Sequence, residues 1–221
     1  MKSVIRLLTA ILLSHSLATV ASARMFVIPM GTNVAPPRYI TLWNGHDLTG
    51  WQTFSTNADM SISKQWAAKN NVLSLTGKPT GYLRTERTFS NYHLHAEWRW
   101  TVTNGNSGVL VHVGGSDAIW PRSIECQLKP GAAGELISQG DAKFSAPTVD
   151  GHKHAKITTP SEKPIGQWNA LDVYCRGNTV KTQVNGVRQN LVERVSVASG
   201  AIGLQLEGSP IEFRLIWVEL Y

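Results

Sequence analysis

The nine residues from Tyr92 to Trp100, YHLHAEWRW, alternate without interruption. In an extended chain, successive side chains point to opposite faces, so Tyr92, Leu94, Ala96, Trp98 and Trp100 form one apolar row and His93, His95, Glu97 and Arg99 one polar row. The stretches VLSL, SGVLVHV, SIECQL, NALDVYCRG, TVKTQVNG, AIGLQLEG and IEFRLIWVEL have the same character, rich in Val, Ile, Leu, Trp and Tyr and separated by Gly, Asn, Pro and Ser. Gly177-Asn178 sits where a hairpin turn would join two of them, and Asn185-Gly186 offers a second turn. Sustained helical periodicity is missing downstream of residue 23. The pattern predicts an all-β chain folded as a two-sheet antiparallel sandwich.

The first residues read differently. Lys2 and Arg6 precede the apolar run LLTAILLSHSLATV, which ends in the small triplet Ala21-Ser22-Ala23. This is the pattern of a secretory signal cleaved near Ala23, so the expected organisation is a signal peptide at 1–23, an N-terminal extension at 24–38 and one domain at 39–221. Ser14, His15 and Ser16 interrupt the run too early for a membrane span, which predicts a secreted or periplasmic protein without stable membrane insertion. Losing Lys2 and Arg6 lowers the formal charge from +6 to +4, and no dense Lys/Arg cluster remains, which argues against a nucleic-acid partner. The two cysteines, Cys126 and Cys175, lack metal-type spacing; a disulfide and two buried thiols are both open. Nothing in the sequence addresses the oligomeric state.

Several strands carry an unusual polar side. Glu125 and Gln127 lie opposite Ile124, Cys126 and Leu128; Asn106, Gly108, Leu110 and His112 oppose Val109, Val111 and Val113; Gln205 and Glu207 oppose Leu204 and Leu206; and Arg214 opposes Phe213 and Leu215. Taken singly, each polar residue is ordinary strand surface, and Glu97 with Arg99 suggests an ion pair across strands. Together they are His, Arg, Glu, Gln and Asn beside a strand glycine, where a solvated face would carry Lys and Thr. The expectation is one functional face holding Glu97, Arg99, His112, Glu125, Gln127 and Arg214. The segment Gly140–Pro164 has little strand pattern and is expected to border that face, with His152 or Lys153 in reach of a ligand. Trp43, Trp51, Trp98, Trp168 and Trp217 read as mostly core, and Trp120 beside Pro121 as an exposed stacking surface.

ITLWNGHDLTGW, HAEWRW, GNSGVLVHV, IECQL, EKPIGQWNALDVYCRGNTVKTQVNGV and AIGLQLEGSPIEFRLIWVEL occur in this order from about Tyr39 to the C-terminus. The set resembles the 3-keto-disaccharide hydrolase family, long catalogued as a domain of unknown function. His112 is a departure, standing where the family pattern has Arg. The resemblance implies a jelly-roll of the concanavalin A-like lectin/glucanase type with its site on the concave sheet. It also implies a carbohydrate substrate, a 3-keto glycoside or 3-keto disaccharide, and an enzyme that cleaves its glycosidic bond by elimination and hydration or by net hydrolysis.

A ketone at C3 acidifies the proton on C2, so a base can remove it and the C1 substituent leaves by β-elimination; water then adds to the unsaturated product. The chemistry requires a base, a stabiliser for the enolate oxygen and a proton source, and it needs no redox cofactor. On this reading the catalytic candidates are Glu125 as base or orienting carboxylate, His112 as base or leaving-group acid, and Arg99 as enolate stabiliser, a role Arg214 shares unless it is a structural ion-pair partner of Glu97 or Glu207. Glu97, Asn106, Trp120, Gln127, Gln205, Glu207 and Arg214 are the candidates for substrate contacts. No metal motif is present, and a divalent cation held by Glu125 and His112 is a minority alternative. Two other functions stay open: a non-catalytic carbohydrate-binding module, and a conventional glycoside hydrolase, which needs a second carboxylate because Gln127 cannot serve as one.

Overall fold

The structure is a computed structural model that describes residues 38–55, 65–101 and 105–221. The expected signal peptide and all of the extension except Arg38 lie outside the described residues. The strands in chain order are β1 (Arg38–Thr41), β2 (Trp51–Ser55), β3 (Trp66–Lys69), β4 (Val72–Leu75), β5 (Gly81–Thr85), β6 (Tyr92–Trp100), β7 (Gly108–Gly114), β8 (Arg122–Gln127), β9 (Leu136–Gln139), β10 (Lys153–His154), β11 (Asn169–Arg176), β12 (Thr179–Val184), β13 (Val187–Val192), β14 (Ala201–Leu206) and β15 (Ile211–Leu220). Among the described residues there is no helix, and so none long and apolar enough to cross a membrane.

The strands form two sheets. The first runs β13-β12-β11-β6-β15-β4-β3, with β1 lying along the C-terminal half of β15; the second runs β10-β9-β8-β7-β14-β5-β2. Every pairing between these strands is antiparallel. The turn between β12 and β13 shows how sequence selects the connection: Asn185 and Gly186 both have positive φ, 51° and 79°, which suits a type I′ hairpin.

The core lies between the sheets. Tyr92, Leu94, Ala96 and Trp98 of β6 are at most 1% exposed and pack with Val109, Val111, Ile124, Cys126, Ile202 and Leu204 from the second sheet. Each core side chain of this size stabilises the fold by about 1.5–3 kcal/mol on burial. Cys126 and Cys175 are both buried free thiols. Trp43, Trp51 and Trp98 are buried as expected, whereas Trp168 and Trp217 are not core residues: both lie outside it, Trp168 against Arg99 and Arg214 and Trp217 against His93 and His95.

Candidate active site

The outer face of the second sheet is divided. One part is apolar, where Tyr82, Leu110, Val113 and Ala201 cluster and Phe54 stacks 5.2 Å from the Tyr82 ring. The Tyr82 hydroxyl donates to Asp117 at 2.6 Å. The other part is polar and forms an open depression of roughly 280 Å³ lined by Asn106, Trp120, Glu125, Gln127, Ile137, Gln139, His152 and Glu207.

Register puts these residues together. Glu125 of β8 pairs with Leu110 of β7 on one side and Ile137 of β9 on the other, while Gln127 pairs with Gly108. Leu204 pairs with Val109, which sets Gln205 beside Gly108, and Asn106 bridges to Glu207. Gly108 is therefore the bare centre of a ring of polar side chains. A Cβ there would stand 2.5 Å from Glu125 Cγ and 2.6 Å from Glu125 Oε1, so the Glu125 side chain takes its position because residue 108 has none.

Glu125 is the most perturbed carboxyl on this face. It is 2% exposed, and Gln139 Nε2 donates to its Oε2 at 2.5 Å while Oε1 is buried with no partner. Burial pushes its pKa up to about 7; the Gln139 hydrogen bond opposes that shift and the nearby Glu207 charge adds to it. Glu207 is raised too, by burial, against a hydrogen bond from Asn106 and the positive charge of Lys129. With its amide committed to Glu207, Asn106 keeps a buried Oδ1 without a partner. Gln127 Oε1 accepts the backbone N–H groups of Leu128 and Lys129, both at 2.8 Å, which leaves its NH₂ as the end able to donate.

Trp120 is 42% exposed at the rim, ahead of β8. His152 borders the same depression, its Nδ1 2.8 Å from the Asp150 carbonyl oxygen. Gln205 is on the same face, 2% exposed with Oε1 unpartnered, but does not line the depression. Ile137 and Gln139 were not anticipated, because the short stretch LISQ is easily passed over. Its own alternation, with Ile137 and Gln139 on one side between Gly134 and Gly140, is the signal that would have found them.

The expectation of one face holding every polar strand residue is corrected. Glu97, Arg99 and Arg214 lie on the outer face of the first sheet, with the core between them and Glu125. There Arg214 Nε bonds Glu97 Oε2 at 2.5 Å and Arg99 Nε bonds Glu212 Oε2 at 2.6 Å. Both guanidinium groups stack on Trp168, at 4.2 Å and 4.6 Å from its ring centre. They are ion-pair partners, far from any role at the depression.

His112 is the second correction. It has a φ of 58°, and the β7–β8 register shifts between Val111 and Gly114, so the chain bulges and the alternation slips. Val113 consequently joins the outer apolar cluster, and His112 turns inward to lie 5.6 Å from the Tyr92 ring with Nδ1 2.8 Å from the Val197 carbonyl oxygen. Burial lowers its pKa. Neither base nor acid at the depression, it also cannot join Glu125 around a cation. No group of three or more His, Cys, Asp or Glu side chains among the described residues is arranged to hold a metal ion.

The assembled site thus offers one buried carboxyl that titrates near neutrality, a second partly buried carboxyl, unpaired acceptor oxygens, amide donors and an exposed indole. Such a set suits proton transfer on a hydroxyl-rich ring.

Comparison with solved structures places the architecture. A candidate glycosyl hydrolase from Parabacteroides distasonis aligns with a TM-score of 0.62 at 20% identity, over 83% of this chain and 94% of that one. A β-glucanase from Bacillus licheniformis aligns at 0.56 and 14% identity over 83% and 97%, and a carbohydrate-binding module from Bacillus subtilis at 0.56 and 12% over 76% and 93%. At these identities the likeness shows the fold alone, a jelly-roll sandwich of the concanavalin A-like type. No match is found among curated proteins. The family model of the 3-keto-alpha-glucoside-1,2-lyase-like domain matches residues 38–219, nearly the whole described chain, and the protein belongs to that family.

Proposed function

We propose that the protein cleaves the glycosidic bond of 3-keto glycosides at the depression on the second sheet, with Glu125 as the base that removes the C2 proton. The observation that carries this reading is the state of Glu125: a carboxyl with a pKa of about 7, one oxygen held by Gln139 and the other buried and unpartnered. A base with a pKa near the working pH combines a useful deprotonated fraction with real basicity. An ordinary solvated glutamate would be ionised but weakly basic.

The other residues follow from the requirements of the reaction. Glu207, also raised above its usual range, is placed to protonate the departing C1 oxygen. The Gln127 NH₂ donates to a sugar oxygen and, with Arg99 and Arg214 on the other sheet, is the better placed donor for the developing enolate. Trp120 supplies a face for the ring. Family membership supports a 3-keto substrate, and the proposed secretion, cleavage near Ala23 and lack of a required cofactor accompany this reading.

One observation favours a second reading. Glu125 and Glu207 border a single depression, so the second carboxylate that conventional glycoside hydrolysis demands is available from the residue that follows β14 even though Gln127 cannot provide it. Incubating the protein with a 3-keto glucoside and with the parent glucoside, and following aglycone release, separates the two. The proposal expects release from the ketone alone. Comparable release from the unoxidised glucoside selects conventional hydrolysis, and binding without release from either selects a carbohydrate-binding module.

A further inference from the structure

Neighbouring antiparallel strands can be joined by a tight turn, but the connection from β7 to β8, residues 115–121, is longer and makes contact elsewhere. It reaches side chains of β5, two strands from β7 in the sheet. The contact is Asp117. The Tyr82 hydroxyl donates to Asp117 Oδ1 at 2.6 Å, Arg84 Nη2 lies 3.3 Å from Oδ2, and the Ala118 N–H bonds to the same Tyr82 oxygen. Among the described residues, these are the hydrogen bonds that tie residues 115–120 to other parts of the chain.

Residues 115–120 are all exposed, so packing does little to hold them. Their anchor is buried. Tyr82 is 1% exposed among Leu110, Val113 and Ala201, with Phe54 stacked on its ring. Burial and the Asp117 carboxylate raise the pKa of the Tyr82 hydroxyl, which therefore stays a donor at any ordinary pH. Hydrogen bonds to a carboxylate are stronger than those between neutral groups, and two from β5 converge on this one.

Register connects the anchor to the depression. Arg84 pairs with Gly203, Gly203 with Leu110 and Leu110 with Glu125, so the anchor belongs to the same row of the sheet as Glu125. Trp120, on the rim of the depression, follows Asp117 in the same loop, and the next residue, Pro121, is buried. Ile119 and Trp120 are thus held from both sides. An indole on an exposed loop offers a ligand a prepared face only when the loop is fixed beforehand, because ordering it during binding subtracts from affinity.

We infer that Asp117 is a positioning residue for Trp120: the bonds from Tyr82 and Arg84 fix residues 115–121 so that the indole is kept at the rim, and losing them weakens substrate binding while leaving the proton-transfer groups untouched. This rests on the proposed role of Trp120 as a face for the sugar ring.

The test compares Asp117→Ala and Tyr82→Phe, each with and without Trp120→Ala. Tyr82→Phe removes only the hydroxyl and keeps the ring stacked on Phe54, so one variant retains the packing if the other does not fold. The first readout needs no ligand: subtracting the fluorescence of each Trp120→Ala protein from that of its parent isolates Trp120, and acrylamide should quench this part at least about twofold more readily in both anchor variants than in wild type. The second is cleavage of a 3-keto glucoside, where each anchor variant should raise KM about fivefold, the size of one lost aromatic contact, with kcat within about twofold of wild type. In the Trp120→Ala background neither should raise KM further. Unchanged quenching of Trp120 in folded anchor variants overturns the inference. So does a KM rise that persists in full without Trp120, which is how bonds that merely stabilise the fold would behave. A wild type that leaves 3-keto glucosides intact refutes the proposed reaction, while the quenching result still upholds or overturns the placement of Trp120 by Asp117.

Discussion

The two outer faces of the sandwich carry similar residues and opposite chemistry. On the first sheet the polar side chains of β6 are satisfied by their neighbours: Arg99 bonds Glu212, Glu97 bonds Arg214, and His93 and His95 both bond Asp172 at 2.8 Å, with Tyr174 stacked on His93 and Trp217 on His95. Those bonds hold Asp172 well below the usual carboxylate range although burial pushes it the other way. On the second sheet Asn106 Oδ1, Glu125 Oε1 and Gln205 Oε1 are buried without partners, and Glu125 is pushed up instead. A strand face rich in ionisable groups is thus no sign of a site by itself. Whether those groups satisfy one another is the sign, since groups that do are stable and inert, and groups that do not are available to a ligand.

The sharpest break in this comparison is a pair of substitutions. Glu125→Gln should slow aglycone release from a 3-keto glucoside by about a hundredfold or more, since it preserves size and removes basicity. Arg214→Ala and Arg99→Ala should leave that rate within about threefold, as their partners and Trp168 all lie on the other sheet. A large loss of turnover in either stably folded arginine variant would return the first sheet to the reaction.

Stability should respond in the opposite sense. The folded-state pKa of Glu125 is raised from 4.5 to about 7, so the native protein holds this proton more tightly than the unfolded chain does. Wild type therefore loses stability as pH rises through that window, and the penalty is complete above it. Glu125→Gln escapes the penalty and should gain on the order of 3 kcal/mol over wild type near pH 8, with the gain vanishing near pH 4. Urea unfolding at the two pH values measures it. Removing the opposing hydrogen bond with Gln139→Leu should move the acid limb of kcat/KM to higher pH; an unmoved limb would mean that Gln139 does not govern Glu125.

Smaller effects sharpen the contrast further. Gly108→Ala forces a methyl group against Glu125 Cγ and Oε1, and turnover should drop about tenfold with a stability cost of about 1–3 kcal/mol. A double-mutant cycle on Glu97 and Arg214 should give the smallest number. Their side chains are 20% and 37% exposed, and such a pair contributes under about 1 kcal/mol.

How much of this the sequence disclosed depends on what kind of information each step needed. Alternation in Tyr92–Trp100 and its counterparts needed only local parity, and the two-sheet architecture followed from it. Asn106, Glu125, Gln127 and Glu207 were picked out on the same grounds, Trp120 for its place in the loop beside Pro121, and all of them border one depression. Parity says which residues share a face of a strand but not which sheet the strand joins, and β6 and β15 joined the other one, carrying Glu97, Arg99 and Arg214 away. His112 failed for a different reason: one residue at φ 58° inverts the parity of everything beyond it, and nothing in GVLVHVG announces the bulge. Gln139 was missed because a four-residue strand offers too few alternations to stand out from a loop.

The central claim is that Glu125 removes the proton at C2, and isotope exchange at that carbon reads this step without waiting for bond cleavage. The 3-keto methyl glucoside would be incubated in deuterated buffer with wild type, with Glu125→Gln and without protein, while binding and thermal stability of the variant are checked in parallel. The account predicts protein-dependent deuterium uptake at C2 in wild type and uptake at least about a hundredfold slower in a folded, sugar-binding Glu125→Gln protein. Exchange at the wild-type rate in that variant would contradict it.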